Sequence, residues 1–529
     1  MRKGGTLMSF DIHTAAGQIN IALLVFCGLV MLSALIRGLR RRTGRALLRL
    51  ITVAGAAVVA AMLLHHGLTQ IGTYDLAGTL GSVKNMPADA ANTLRELKAT
   101  LPAVYQLVVG IPMALLVPSL YAVVFFVLSL VFGIPYLILA AIFFPRRRRS
   151  PILFSRLWGM LIGAVQGAVV CAVYVIPLVG YAYFGGTVAD GIGNAAADNE
   201  TAQSAVSSIK DYTQAVTDNR IATTLYKLGG EKLFRYLTTF TYDDGESTID
   251  ICLVDETGIY TDMIRDILPL TGGKQLKDYT EKEVDAIRAL SGDLRKSRTM
   301  TVALSGILSE GCRAWNRGEA FFGVERPRPE DAKSEQMLQT FIDTFKDSTP
   351  DTVSDDLAAL ADTFEVMVRY DFFAALEDPD LLAEKFKDAD FIRDLMDAMS
   401  GSENMNRLMH ETVKIGVQTV CEEFVEKASG AEAYNDTVTE ICGNVADKLN
   451  SVTGTDEEKK DALTAEIKAA MTSGGVAEED VPEEMLGYVS QFVLDEFADS
   501  DTVTAEDIMN YFGFTLRTTG TPAEETPAA

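Results

Sequence analysis

Four long apolar runs in the first third of this 529-residue chain limit its fold more than any other feature. They cover about residues 19–36, 46–64, 103–144 and 152–184. About 20 apolar residues in a helix span the roughly 30 Å hydrocarbon core of a bilayer, so the first two runs have the length of ordinary transmembrane helices. A signal peptide does not fit the first run, since no small-x-small cleavage site follows it before Arg37. We therefore predict a multi-pass membrane protein whose first partner is the lipid bilayer.

The third apolar run has 42 residues, about twice what one crossing requires. Proline removes a backbone hydrogen bond and kinks a helix, so Pro112 and Pro118 are the expected interruptions. Two arrangements are compatible with such a break. The run contains either two crossings, or one crossing over about 119–144 preceded by an interfacial or re-entrant piece over 103–117.

Two arginine-rich loops favour one of these arrangements, because short basic loops remain on the cytoplasmic side of a membrane. Six arginines lie between residues 37 and 49, and five lie between residues 146 and 156. If both loops are cytoplasmic, the third run crosses once, the amino terminus lies outside, and everything after residue 184 is extracytoplasmic. The predicted topology depends most on Arg40, Arg41, Arg42, Arg146, Arg147, Arg148 and Arg149.

The distribution of charge follows the same division. The whole chain has a formal net charge of −25, but residues 1–184 contain 16 basic and 4 acidic residues (+12), whereas residues 185–529 contain 31 and 68 (−37). A region this acidic repels phosphate backbones, which disfavours nucleic acid, so we predict no nucleic-acid partner. No Asp, Glu, Lys or Arg lies in the middle of any apolar run. Their absence from these positions disfavours a proton-coupled carrier.

Glycine recurs every four residues in the fourth apolar run, at Gly159, Gly163 and Gly167. This spacing puts all three on one helix face, where another backbone can approach closely. Gln166 lies beside this glycine stripe and can hydrogen-bond across such a contact. We expect helix packing there, and the sequence leaves open whether the packed helix is in the same chain or is the fourth helix of a second copy.

Two segments resemble the CvpA, or colicin V production, family. They are IRGLRRRTGRALLRLI, residues 36–51, and FSRLWGMLIGAVQGAVV, residues 154–170. In that family a Ser/Asp-Arg-Leu step leads into a glycine-spaced final helix, and Ser155 stands here where Asp is typical. The resemblance covers residues 1–184 only. It implies a bacterial cell-membrane protein linked to toxin production or export and to maintenance of the cell envelope, and it implies no catalytic residues.

Helical patterning continues after residue 184, so the predicted fold class is all-α, with a four-helix transmembrane bundle and a mostly helical extracytoplasmic region. Thr280 with Glu283, and Thr455 with Glu458, have the spacing of capping boxes that begin helices. Alternation on both sides of the turn residues 243–245 predicts one small β-hairpin. A linker at 326–331 divides the region into 185–325 and 332–515, and residues 516–529 are predicted to be a disordered tail.

The motifs for catalysis, metals and nucleotides are incomplete, so we predict no catalytic residue, no metal and no cofactor. His410 lacks the second histidine of an H-E-x-x-H zinc helix. Residues 272–275 end like a phosphate loop but lack its first glycine and its Ser/Thr. Residues 499–501 begin like a calcium loop without its glycine and closing glutamate.

Four cysteines follow residue 184, and an extracytoplasmic location permits disulfides among them. They are Cys252, Cys312, Cys421 and Cys442, and they allow three pairings. Cys421 and Cys442 lie on consecutive predicted helices and are the favoured pair. The alternative is that all four are small buried apolar residues.

The leading hypothesis is a non-enzymatic envelope or secretion-associated membrane protein with an unknown membrane or envelope partner. A second hypothesis is a transport component that conducts a solute or peptide through the bundle, past Gln166 and Ser129. A third is an extracytoplasmic enzyme, which requires a concave cluster of titratable groups around His410 or the cysteines.

Overall fold

The computed structural model describes residues 15–40, 43–71, 88–144, 153–195, 200–245, 247–271, 273–329, 331–376, 378, 381, 384–385, 388–427, 431–473, 483–498, 500 and 502–514. Over these residues the secondary structure is helical apart from one two-stranded sheet. The predicted all-α class with one small hairpin is therefore confirmed. The predicted tail, 516–529, lies outside the described residues.

Four helical stretches are long and apolar enough to cross a membrane: Gln18–Arg40, Thr43–Thr69, Pro102–Phe143 and Phe154–Gly191. This number agrees with the four apolar runs of the sequence. The stretches belong to α1 (Ala15–Arg40), α2 (Thr43–Thr69), α4 (Pro102–Val131) with α5 (Gly133–Phe143), and α6 (Leu153–Ala195). The short α3 (Ala88–Thr100) precedes α4.

The expected breaks at Pro112 and Pro118 are wrong, because α4 continues through both prolines. A helical proline leaves a carbonyl one turn earlier without its amide, and neighbouring side chains help to satisfy such a turn. The carbonyls that lose their amide partners in this way lie four residues before each proline, and α4 nevertheless keeps its helical course through both positions. The helix is interrupted instead at Phe132. Pro135 has no amide proton, so the Val131 carbonyl, four residues earlier, lacks its usual hydrogen-bond donor.

Contacts divide the chain into two compact units. The first contains the described residues up to Leu268 together with Lys296–Ile307, and the second contains Pro269–Arg295 and the described residues from Leu308 onward. This grouping differs from the predicted domains 1–184, 185–325 and 332–515, which stay a prediction.

In the first unit a series of short elements follows the apolar helices. It comprises α7 (Glu200–Thr217), α8 (Arg220–Leu225), a π-helical turn (Tyr226–Gly230), α9 (Glu231–Leu237), β1 (Thr239–Asp243), β2 (Thr248–Cys252) and α10 (Leu253–Ile267). The strands are antiparallel, with Thr239 opposite Cys252 and Asp243 opposite Thr248. Phe240 and Ile251 are fully buried on the inner face of this hairpin, next to apolar residues of α2 and α4.

The second unit is built from helices around its own apolar core, which includes the fully buried Phe391, Leu463 and Val493. Both predicted capping spacings begin helices, since the amide of Thr280 donates to Glu283 at 2.9 Å and that of Thr455 donates to Glu458 at 2.9 Å. Its helices are α11 (Glu281–Lys296), the later part of α12 (Arg298–Asn316), α13 (Ala332–Phe345), α14 (Pro350–Arg369), α15 (Phe372–Ala375), α16 (Ala389–Met399), α17 (Glu403–Lys427), α18 (Ala431–Ser451), α19 (Asp456–Ser473), α20 (Glu483–Glu496) and α21 (Ala505–Phe512).

Candidate functional site

Described residues that border the two arginine-rich loops lie together at one end of the apolar helices. The Arg45 Nε donates to the Phe144 carbonyl at 2.7 Å, immediately before the second loop. The Thr43 hydroxyl lies 3.0 Å from the Ser155 hydroxyl, immediately after that loop. Arg40 ends α1, whereas Arg41, Arg42 and Arg146 to Arg149 lie outside the described residues. The described residues on either side of both loops therefore lie at the same end of the apolar helices. The arrangement with a single third crossing requires this.

The opposite end of the apolar helices is joined to the hairpin and α9 by polar side chains. Gln106 is almost fully buried on α4, donates to the Asp243 carbonyl at 2.6 Å and accepts from the Asp243 amide at 3.1 Å. His65 stacks on Tyr236 with ring centroids 3.9 Å apart, and its Nδ1 lies 3.0 Å from the Tyr236 carbonyl. Sequence reasoning missed these joints, because an apolar run with one glutamine does not reveal which backbone the glutamine meets.

Exposed apolar side chains form a belt between these two ends. On α6 they run from Phe154 to Leu178, and beyond that level α7, α9 and α10 cover the helix. At 1.5 Å per residue, the distance along each helix from the arginine-rich end to Ile19, His65, Ser119 or Tyr181 is about 30–40 Å. This height is close to the roughly 30 Å of a hydrocarbon core. The belt supports membrane association, and which side each end faces remains a prediction.

The glycine stripe of α6 packs against α1 of the same chain. A Cβ on Gly163 would lie 2.5 Å from the Ala34 carbonyl oxygen and 3.1 Å from the Gly38 Cα. A Cβ on Gly167 would lie 2.9 Å from both the Ala34 Cβ and the Met31 Sδ. Gly159 is buried, with its backbone against Gly38, and Gln166 is half-buried beside the stripe. Homo-oligomerisation through this helix remains a prediction.

A cleft of about 560 Å³ opens in the belt between α1, α4 and α6. Pro118 of α4 and Pro177 of α6 both line it, and Phe26 and Tyr174 meet edge to face along it at 5.8 Å between ring centroids. Its polar groups include the hydroxyls of Ser119 and Tyr181, which are 3.0 Å apart. Neither Gln166 nor Ser129 lines this cleft.

His410 lies on α17 and stacks on Phe492 with ring centroids 3.4 Å apart. Burial lowers the pKa of its imidazole, and the nearby Lys414 ammonium lowers the pKa further. Lys414 itself lies over the Tyr511 ring, 3.9 Å from its centroid. The described neighbourhood is therefore a packed aromatic contact in which the imidazole favours its neutral form.

The other motifs of the sequence occupy structural positions. Lys274, in the loop that resembles a phosphate loop, donates to Glu283 at 2.6 Å. Within the described ranges, no group of three or more His, Cys, Asp and Glu side chains is arranged to hold a metal ion. Asp499 and Asp501 of the calcium-like segment lie outside those ranges.

The cysteines are mostly buried. Cys312 and Cys442 lie in apolar cores, and Cys252 is half-buried at the end of β2. The side chain of Cys421 lies outside the described part of the structure, so its pairing with Cys442 stays a prediction. In the apolar helices, the Cys171 Sγ lies 3.9 Å from the Cys27 carbonyl oxygen.

Comparison of the chain with protein-family models, with curated proteins and with solved structures finds no match. The resemblance to the colicin V production family therefore rests on residues 36–51 and 154–170. These two segments contact each other at Gly38 with Gly163 and at Thr43 with Ser155.

Proposed function

We propose that this chain is a non-enzymatic multi-pass protein of the cell membrane that carries its acidic helical region outside the cytoplasm. The observation that carries the proposal is the way the first unit is built. The apolar helices and the elements after residue 184 share one core, and Gln106, His65 and the Asn20–Asn219 pair join them with hydrogen bonds. A bundle joined to its surface elements in this way is suited to holding an extramembrane region in place.

The envelope or toxin-export role is the part of the proposal that rests on the resemblance. The two segments that resemble the colicin V production family form one contact at the arginine-rich end, between α1 and α6. Their contact supports treating them as one functional element. We infer that a partner of the membrane or envelope engages the protein, with the arginine-rich end facing the cytoplasm.

The orientation is tested by labelling single cysteines, in a cysteine-free background, with a membrane-impermeant maleimide on intact cells. Thr248→Cys, at an exposed position of the hairpin beyond the belt, should react without permeabilisation. Ser150→Cys, in the second arginine-rich loop but not at one of its arginines, should react only after permeabilisation. The reverse pattern would overturn the orientation, and labelling of both sites on intact cells would overturn the four-crossing arrangement.

The transport alternative requires a polar path through the bundle. The described cleft is lined mainly by apolar side chains, and it opens at the side of the belt. This lining is why we propose a non-conducting role. Purified protein in proteoliposomes should leave small polar dyes and protons trapped at the rate of empty vesicles, and a protein-dependent leak would favour transport.

A further inference from the structure

We infer that the cleft between α1, α4 and α6 is a binding site for one phospholipid that carries a hydrogen-bond donor in its headgroup. The cleft has a volume of about 560 Å³, within the roughly 300–1,000 Å³ of ordinary small-ligand sites. Phe26 and Leu178 line it and are 37% and 43% exposed. An apolar cavity open to the side of the belt is in contact with acyl chains, so an acyl chain is the occupant that its position favours.

The length of the cleft distinguishes a lipid chain from a docked helix. Its lining extends over Ile19–Phe26 of α1 and Tyr174–Tyr181 of α6, which is about two helical turns or roughly 10 Å. A transmembrane helix would make contact along most of a belt about 30 Å high. The cleft lies at the level where exposed apolar side chains end on α6, so a chain entering it hangs from a headgroup at the bilayer surface.

The protons of the hydroxyl pair determine which headgroup fits. Tyr181 donates its only hydroxyl proton to the Leu115 carbonyl, which can only accept. Across the 3.0 Å between the two hydroxyls, Ser119 must therefore donate to Tyr181. Both hydroxyl protons are then used, and the remaining capacity of Ser119, which is exposed at the mouth, is to accept. The pair favours a lipid with an ammonium or hydroxyl group, such as phosphatidylethanolamine, over phosphatidylcholine, which has no donor.

The test uses the full chain in nanodiscs with a trace of phospholipid that carries a photoactivatable diazirine on one acyl chain, as either the ethanolamine or the choline form. Peptides that contain Phe26, Ala122 and Tyr174 should be labelled above the lipid-facing surface of α5. One hydrogen bond is worth about fivefold in occupancy, so the ethanolamine form should label them about fivefold more than the choline form. Ser119→Ala should reduce that preference to about onefold.

Matched variants separate the cleft from the general lipid surface. Ala122→Phe fills the cleft and should abolish the preferential labelling, whereas Ala141→Phe, on an exposed position of α5, should leave it unchanged. Ala22→Leu fills the cleft from α1 and provides a second test if Ala122→Phe does not fold. Uniform labelling of the belt, equal labelling by both headgroups, or cross-links between two copies at the cleft would each overturn the inference.

Discussion

Removing the carboxylate of Glu256 should destabilise the first unit strongly, because this buried side chain caps α12 from a neighbouring helix. Glu256 lies on α10 and is 2% exposed. It accepts hydrogen bonds from the Ser297 hydroxyl at 2.6 Å, the Arg298 amide at 2.8 Å and the Thr299 hydroxyl at 2.6 Å. The first amides of a helix have no partner within it, and their partial positive charge favours an anion there.

The size of the effect follows from the donors left without an acceptor. Glu256→Ala leaves the first amides of α12 and one of the two hydroxyl protons without an acceptor in a buried place, since the hydroxyls of Ser297 and Thr299 lie 3.0 Å apart and can bond each other. Each unsatisfied group costs about 1–3 kcal/mol, so we expect a total loss of about 4 kcal/mol. Glu256→Gln keeps the shape and one acceptor oxygen but loses the charge, and should cost about 2 kcal/mol. The matched control is Asp262→Asn on the same helix, whose ion pair with Arg265 is exposed and should contribute little to stability.

Stability would be measured by denaturant titration of the purified protein in detergent micelles, together with amide hydrogen exchange. Glu256→Gln should also speed exchange in the first turn of α12, while exchange in the hairpin keeps its protection. If Glu256→Gln and Asp262→Asn unfold at the same denaturant concentration, the cap contributes nothing measurable and the reasoning is refuted.

Three further predictions rest on other contacts. Gly163→Ala should lower the free energy of unfolding by about 1–3 kcal/mol, because its Cβ meets the α1 backbone. Gly28→Ala should have no such effect, since a Cβ there has nothing within 4 Å. Equal unfolding midpoints of the two variants in differential scanning fluorimetry would contradict this. Hydrogen bonds from Lys274 and Thr280 lower the pKa of Glu283 to about 2 from 4.5, so its contribution to stability is present above pH 4.5 and is lost as the pH falls towards 2. Lys274→Met should reduce that loss, and an unchanged acid-unfolding curve would count against the pair. Burial lowers the pKa of His410 below 6.5, so on acidification the unfolded chain binds this proton before the folded protein does. The stability of the fold therefore falls as the pH drops below 6.5. In a pH titration of the unfolding midpoint, His410→Gln should show a smaller decrease below pH 6.5.

The helical elements could be predicted well because local patterns determine them. Continuous apolar runs such as those near residues 19–36 and 46–64 satisfy their backbone groups within the segment by forming helices. The hairpin was predicted for a similar reason, since Asp243 and Gly245 form the turn and the flanking residues alternate. The break in the third run was placed wrongly, because α4 stays helical through Pro112 and Pro118, and a proline in a membrane helix need not end it.

The candidate site could be predicted only in part. The glycine spacing of Gly159, Gly163 and Gly167 indicated a packing face, but α1 contacts that face through Ala34 and Gly38, which no repeated motif marks. No pattern in the sequence indicated the cleft between α1, α4 and α6. Ser119 and Tyr181 are 62 residues apart, and each alone is an unremarkable polar residue at the end of an apolar run.

The sequence by itself determined which parts of this protein are apolar, which are acidic, and where most helices begin and end, because hydrophobicity, net charge and capping are properties of short segments. Only the tertiary structure decided that residues bordering the two arginine-rich loops lie in contact, that Gln106 holds the hairpin, and that Glu256 caps a helix about 40 residues away. These contacts join residues distant in the chain, and their energies depend on geometry that no segment contains.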